Sequence, residues 1–134
     1  MSPGIVVLVT GGRDYTDRIE VHAALDDINI ERKIVTLIHG ACRVDALRQN
    51  WSDLSGADKL ANEWALSRKV QVVTYPANFS LYGRIGGARR RDRDMFDLGQ
   101  PDIVLAFPGN AGTRNCCAIA KARKILLLHG GESG

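Results

Sequence analysis

Apolar residues in this chain are concentrated in five short continuous runs. These runs cover residues 5–10, 34–38, 70–75, 103–107 and 125–128. Runs without polar alternation are typical of strands that are covered on both faces. Between the first two runs, Val21, Leu25 and Ile28 have the spacing of an amphipathic helix, and Thr16 and Asp17 precede it as N-cap candidates. Alternation of such strands and helices predicts an α/β fold with a parallel sheet and helices on both faces.

Two segments fit this alternation less well. Residues 41–54 have some helical spacing but come directly after the second strand, so we interpret them as an insertion. Ser55 then begins a better helix, because its hydroxyl can act as an N-cap and Asp58 follows three residues later. Residues 77–87 are predicted to be a loop because of their glycines, and residues 89–98 a helix with a very basic first turn.

Size and composition predict one soluble domain, residues 1–134, with a short flexible tail at 130–134. The hydrophobic fraction of 45% and the charged fraction of 25% are ordinary, and the net charge is +3. Such a mild excess of positive charge suits an anionic ligand without requiring nucleic acid.

Cysteine and histidine positions give no sign of a metal site or a disulfide framework. Cys42, Cys116 and Cys117 have no Cys-x-x-Cys spacing, and the three histidines show no ligand spacing with them. The first apolar run is too short for a signal peptide, and no run is long enough to span a membrane. We therefore expect a reduced, cytoplasmic protein without a metal ion.

The loops after the strands carry most candidate ligand contacts. Ligands of parallel α/β sheets lie outside the carboxyl ends of the strands, where residues 11–15, 39–43, 76–87 and 108–113 follow. In the last of these loops, a strand passes through Gly109 and Gly112 into a helix predicted at 114–124. This pattern is typical of a phosphate site at a helix N-terminus, although a tight turn needs glycine as well.

Four motifs in this order resemble the YspA-like branch of the SLOG superfamily, which includes the lonely-guy phosphoribohydrolases and the Smf/DprA proteins. They are Thr10-Gly11-Gly12-Arg13-Asp14-Tyr15; His39-Gly40 with Ser55-Gly56-Ala57-Asp58; Pro76-Ala77-x-Phe79-x-x-Tyr82-Gly83 with Arg91-Asp92-Arg93; and Pro108-Gly109-x-x-Gly112-Thr113. The resemblance covers nearly the whole chain apart from residues 41–54 and the tail. It implies a Rossmann-like, doubly wound sheet of about five strands and a pocket for a nucleotide or nucleotide derivative.

The resemblance also implies roles for individual residues. Gly11, Gly12 and Arg13 would line one side of the pocket, and Gly109, Gly112 and Thr113 would hold a phosphate. Arg91 would pair with a phosphate or with the sugar edge of the ligand. The complete set of predicted ligand-binding residues is Gly11, Gly12, Arg13, Asp14, His39, Gly40, Asp58, Tyr82, Arg91, Asp92, Pro108, Gly109, Gly112 and Thr113.

The chain departs from the family pattern at three places. Cys116 stands where the lonely-guy enzymes have a catalytic glutamate, and a thiol does not replace a carboxylate in acid–base work at neutral pH. Asp92 stands where this branch usually has asparagine after the arginine. The proposed insertion at 41–54 lies on the rim of the pocket.

Several of these predicted ligand-binding residues can also be explained by a role in the fold alone. Arg13 and Asp14 can form a surface pair, Asp58 is suited to a helix start, and His39 can be a buried residue with satisfied hydrogen bonds. Tyr82 can cover a nucleobase or the hydrophobic core. Both tryptophans, Trp51 and Trp64, are expected in the core.

Three functions remain open at this point. The favoured one is a nucleotide-binding sensor or sequestering protein without a cofactor and without strong catalysis, so no catalytic residue is assigned. An N-glycosidic hydrolase would need a carboxylate such as Asp14, Asp58 or Asp92. Single-stranded nucleic-acid binding is disfavoured, because aromatic residues make up only 6% of the chain, although the arginines at 89–93 would suit a phosphate backbone. A homodimer is compatible with an apolar helix face, and no membrane partner is expected.

Overall fold

A computed structural model describes residues 4–41 and 54–131 of the chain. Nine elements alternate along it: β1 (Ile5–Thr10), α1 (Arg18–Glu31), β2 (Ile34–His39), α2 (Gly56–Ser67), β3 (Gln71–Thr74), α3 (Phe79–Asp97), β4 (Ile103–Ala106), α4 (Ala111–Ala122) and β5 (Leu126–His129). All strand pairings in the five-stranded sheet are parallel, in the order β3-β2-β1-β4-β5. The predicted α/β, Rossmann-like fold is confirmed.

Side chains on the two faces of the sheet form two separate cores. Val7 and Val9 point towards α1 and α2 and pack with Trp64, which is fully buried as predicted. Leu8 points to the opposite face and packs with Met95 of α3, in a cluster that also contains Cys116 and Ala120 of α4. Continuous apolar runs are required here because successive residues of each central strand contact helices on opposite faces.

Helix α1 begins as predicted, and α2 begins differently from the prediction. The side chain of Asp17 accepts a hydrogen bond from Glu20 N at 3.1 Å. Ser55 is the N-cap residue of α2, but its hydroxyl is buried without a partner, so the predicted side-chain cap is wrong. Gly56 has a φ of 65° there, and Ala57 N instead donates to the carbonyl oxygen of Gly12 at 3.2 Å.

Helix α3 differs from the prediction more than any other element described. The predicted loop at 77–87 is wrong, because α3 starts at Phe79, where Asn78 Oδ1 accepts a hydrogen bond from Leu81 N at 3.0 Å. Gly83, with φ 76° and ψ 176°, is not helical, and α3 consists of two helical segments joined by a kink at this residue. The arginines at 89–93 therefore lie in the middle of α3, and the expected basic first turn does not exist.

Helix α4 starts at Ala111, three residues before the predicted start at Arg114. Asn110 is its N-cap, and Asn110 Oδ1 accepts from Gly112 N at 3.3 Å. Gly112 and Thr113 are thus in the first turn of the helix instead of the loop before it. Because the first amides of a helix have no intrahelical partner, this shift places those amides beside the two residues.

The remaining predictions concern the two segments at the margins of the description. Of the proposed insertion at 41–54, residues 42–53 lie outside the described residues, and so does Trp51. Of the proposed tail, Gly130 is buried and donates to Ala106 O at 2.8 Å, while 132–134 lie outside the description. None of the helices within 4–41 and 54–131 has the length and apolar character needed to cross a bilayer.

Candidate functional site

Strands β1 and β4 are neighbours at the point where the chain reverses its direction across the sheet. From β1 the chain continues towards β2 and β3, and from β4 it continues towards β5. The loops after the two strands are joined by a hydrogen bond of 2.8 Å from Gly12 N to Pro108 O. A Cβ atom on Gly12 would lie 3.0 Å from that same oxygen, so the close approach of the loops favours glycine. Parallel sheets bind ligands at such a switch point.

A small cavity of about 110 Å³ lies at this switch point. The residues that line it come from the ends of β1, β2 and β4 and from α2, α3 and α4: Val9, Thr10, Gly11, Arg13, Gly40, Asp58, Arg91, Asp92, Met95, Asn110, Gly112 and Thr113. Its volume is below the roughly 300–1,000 Å³ of typical small-molecule pockets. The cavity by itself therefore has room for one small group of a ligand.

The structure brings eight of the fourteen predicted ligand-binding residues together in the wall of this cavity: Gly11, Arg13, Gly40, Asp58, Arg91, Asp92, Gly112 and Thr113. Gly12, Pro108 and Gly109 lie directly behind the wall, where a Cβ on Gly109 would lie 2.8 Å from Gly12 N and would overlap Thr113 Oγ1. Asp14, His39 and Tyr82 are outside the lining.

Thr113 is the cavity residue with an unsatisfied polar atom. It is 8% exposed, and its hydroxyl is buried without a hydrogen-bond partner. It belongs to the first turn of α4, where backbone N–H groups point outward from the helix end. A buried hydroxyl without a partner costs folding free energy, which a ligand that bonds to it would recover.

Arg91 is held in the cavity wall by two neighbours. Its Nε donates to Asp92 Oδ1 at 2.7 Å, and its Nη1 donates to Gly40 O at 2.9 Å. Asp92 also accepts from Asn115 Nδ2 at 2.9 Å, so both of its carboxylate oxygens are engaged. A Cβ on Gly40 would lie 2.6 Å from Arg91 Nη1. The guanidinium is therefore fixed in place by Gly40, directly after β2, and by Asp92 of α3, which Asn115 of α4 holds in turn.

Cys116 lies beneath the cavity and does not line it. The residue is 1% exposed, and burial together with the charge of Asp92 raises the pKa of the thiol far above its usual range. A neutral, enclosed thiol is neither a nucleophile nor a general acid–base group at neutral pH. Of the carboxylates in the cavity wall, Asp92 is occupied by its two donors, and Asp58 in the first turn of α2 is 5% exposed.

Two of the predicted ligand-binding residues outside the cavity, His39 and Tyr82, interact with other parts of the protein. His39 is fully buried; its Nε2 lies 2.9 Å from Asn62 Oδ1, and its Nδ1 accepts from Ala41 N at 2.9 Å. These contacts match the interpretation of a buried histidine with satisfied hydrogen bonds. Tyr82 is on the outer face of α3, with the guanidinium of Arg90 stacked 5.0 Å from its ring centre.

A wider cleft of about 1,190 Å³ adjoins the cavity. Arg13, Arg91, Asp92, Asn110 and Gly112 line both spaces. The cleft adds an apolar side formed by Phe79, Ile85 and Ala88, together with Ala111 and the polar residues Arg84, Arg89, Arg114 and Asn115. Sequence reasoning missed most of these residues, because the sequence predicts a loop at 77–87 and Asn110 was not recognised as a helix cap.

Metal binding finds no support in the part of the chain that the structure describes. No group of three or more histidine, cysteine, aspartate or glutamate side chains in 4–41 and 54–131 is arranged to hold a metal ion.

Comparison with protein families agrees with this geometry. Residues 5–54 match the model of the YspA, cpYpsA-related SLOG family. The matching family is the YspA-like branch of SLOG, and the predicted resemblance is confirmed. No curated protein matches the chain in sequence.

The SLOG match spans β1, α1 and β2 and thus includes the loop with Gly11, Gly12 and Arg13. It extends through residue 54 and so includes the segment that we interpreted as an insertion.

Proposed function

We propose that this protein binds a nucleotide or a nucleotide-derived small molecule, with a phosphate group in the small cavity at the switch point. The observation that carries the proposal is the Thr113 hydroxyl, buried without a partner in the first turn of α4. A phosphate oxygen there would accept hydrogen bonds from this hydroxyl and from the unpaired amides of the helix start. Arg13 and Arg91, which also line the cavity, supply positive charge for the same anion.

The chemistry of the wall supports binding over hydrolysis. The thiol of Cys116 is enclosed and neutral, and both Asp92 oxygens already accept hydrogen bonds. A role as a sensor or a sequestering protein needs only affinity for the ligand. The expected homodimer stays a prediction.

Calorimetric titration tests this proposal directly. The probes are the four ribonucleoside 5′-monophosphates and the four matching nucleosides without phosphate. We expect at least one monophosphate to bind and its nucleoside to bind much more weakly. Replacing Thr113 with valine should weaken monophosphate binding about tenfold, the factor of one hydrogen bond to a charged group, without loss of stability.

Arg13→Gln and Arg32→Gln provide a charge-matched pair for the same titration. Arg32 is exposed after the end of α1 and does not line the cavity. Arg13→Gln should weaken binding about tenfold or more, while Arg32→Gln should leave it unchanged. Equal affinities for monophosphate and nucleoside, or equal effects of the two substitutions, would contradict the proposal.

Asp58 keeps hydrolysis as a second candidate function. Its carboxylate is buried in the cavity wall, where it is near enough to contribute to the raised thiol pKa of Cys116. It could stabilise the positive charge that develops on a ribose during cleavage of an N-glycosidic bond. The test is to incubate the protein with a monophosphate that it binds and to measure free base by chromatography. Base release that Asp58→Asn abolishes would establish hydrolysis. Recovery of intact nucleotide would establish binding alone.

A further inference from the structure

We infer that the wide cleft beside the cavity is a second anion subsite, so that the ligand is a nucleotide with at least two phosphate groups, such as a nucleoside diphosphate. This inference rests on the proposed function and specifies its ligand class. The observation behind this inference is that several arginines line the cleft. A single phosphate in the cavity would not explain their presence there.

The cleft holds far more positive than negative charge. Of the residues that the structure describes, five arginines line it, namely Arg13, Arg84, Arg89, Arg91 and Arg114, against one carboxylate, that of Asp92. The Asp92 carboxylate is already paired with Arg91. Like charges gathered on a concave surface repel one another, and an anion that enters the cleft relieves this repulsion.

The arginines that line only the cleft have no partners of their own. Within 4–41 and 54–131, Arg84, Arg89 and Arg114 form no side-chain hydrogen bond, ion pair or ring contact. Other arginines of the chain do form them: Arg18 pairs with Glu63, and Arg123 with Asp97. Among the described residues, Arg32 and Arg93 also lack such contacts but lie apart from the cleft, whereas Arg84, Arg89 and Arg114 lie together in its wall.

The positive charge lies partly at the cavity and partly in the cleft beside it. Arg91 is fixed at the cavity end, whereas Arg84, Arg89 and Arg114 line the cleft without lining the cavity. The cavity has space for one small anionic group, and the cleft of about 1,190 Å³ has space for the rest of a nucleotide. Two separated sets of cations match a ligand with two negatively charged groups.

An apolar surface lies along the same cleft. Phe79, Ile85 and Ala88 belong to the same helix, α3, as Arg84 and Arg89. A nucleobase or ribose could lie against these side chains while both phosphates contact arginines. The connection of the cleft to a cavity with room for one small group favours a small molecule over a nucleic-acid strand, which would track a long positively charged groove.

The test is calorimetric titration with paired ribonucleoside 5′-monophosphates and 5′-diphosphates. The variants are Arg84→Gln and Arg89→Gln, with Arg93→Gln as the control, because Arg93 is an exposed arginine of α3 outside the cleft. We expect a diphosphate to bind at least tenfold more tightly than its monophosphate. Arg84→Gln and Arg89→Gln should each weaken diphosphate binding about tenfold and leave monophosphate binding nearly unchanged. Arg93→Gln should change neither affinity.

The possible failures are distinguishable. If monophosphates bind but diphosphates gain nothing, or if the cleft variants behave like Arg93→Gln, the second subsite is overturned and the proposed function stands. If neither class of nucleotide binds, the proposed function fails, and the second subsite with it. Tight binding of a single-stranded oligonucleotide with a steep salt dependence, in place of mononucleotides, would also overturn both. Urea denaturation of each variant confirms that lost binding does not reflect unfolding.

Discussion

Arg91 Nε and Asp92 Oδ1 are 2.7 Å apart, so two consecutive residues of α3 form an ion pair in the wall of the cavity. The other oxygen of Asp92 accepts from Asn115 of α4 at 2.9 Å. One carboxylate therefore orients the arginine and joins two helices. This arrangement explains why aspartate is accommodated where the resemblance leads us to expect asparagine.

Replacing Asp92 with asparagine should destabilise the protein. An asparagine would keep one acceptor oxygen for Arg91 Nε but would lose the negative charge paired with the guanidinium, and Asn115 would have to turn its amide to accept from the new NH₂ group. We expect the free energy of unfolding to fall by about 2 kcal/mol, the scale of a buried hydrogen bond to a charged group. Urea denaturation measures the change. Asp94→Asn on the same helix is the control, and equal stability of the two variants would contradict this assignment.

The buried thiol of Cys116 should make stability depend on alkaline pH. Because burial raises the pKa of the thiol in the folded protein, the unfolded chain loses this proton first, near the ordinary thiol pKa of about 8.5. The stabilisation is complete below that pH and is lost as the pH rises above it. This one group should lower the free energy of unfolding by up to about 1.4 kcal/mol per pH unit.

Urea denaturation between pH 8 and pH 10 checks this slope. Cys116→Ala should remove most of it, whatever its effect on stability at neutral pH. Cys117→Ala is the matched control, since Cys117 is only partly buried and its thiol pKa is raised less strongly. An unchanged slope in Cys116→Ala would show that this thiol ionises normally in the folded protein.

Gly83 should be far less replaceable than Gly86, although both are exposed in α3. Gly83 has a φ of 76° and a ψ of 176°, a region that is almost restricted to glycine, and no atom within 4 Å of an added Cβ. Gly83→Ala should therefore cost about 1–3 kcal/mol from backbone strain alone. Gly86→Ala should raise stability by up to about 1 kcal/mol, because Gly86 is helical and the nearest atom to its added Cβ is 3.6 Å away.

Thermal denaturation of the two alanine variants provides the measurement. Since Arg84 and Ile85 follow Gly83 directly and line the cleft, Gly83→Ala should also weaken diphosphate binding. Two variants of equal stability would show that the interruption at Gly83 is not required by the fold.

The sheet and the edge that carries the candidate site could be predicted from the sequence because the strands are short runs rich in apolar, β-branched residues. The runs ending at Thr10 and Ala106 allow only one interpretation, and parallel topology then places their loops side by side. Helix α3 could not be predicted, because Gly83, Gly86 and Gly87 lower helix propensity, whereas Met95 and Phe96 fix its second part against the core. Gly87 also lies close to the start of the same helix, where an added Cβ would be 3.0 Å from Asn78 O.

Only part of the candidate site could be predicted from the sequence. Gly11, Arg13 and Thr113 carry a recognisable local pattern, and the structure places all three in the cavity wall. No local sequence pattern marks Arg84 or Arg114 as a binding residue, since an exposed arginine in a glycine-rich stretch is ordinary. Their common location depends on the long-range packing of α3 beside α4, which periodicity along the chain does not encode.

Four of the five cleft arginines among the described residues lie outside the family match. The match ends at residue 54, whereas Arg84, Arg89, Arg91 and Arg114 all come after it. Two proteins that share only the matched segment can therefore differ in these four arginines, which lie in α3 and in the first turn of α4. For relatives recognised through their first two strands, ligand identity should be transferred only when the arginines of this second half are also present.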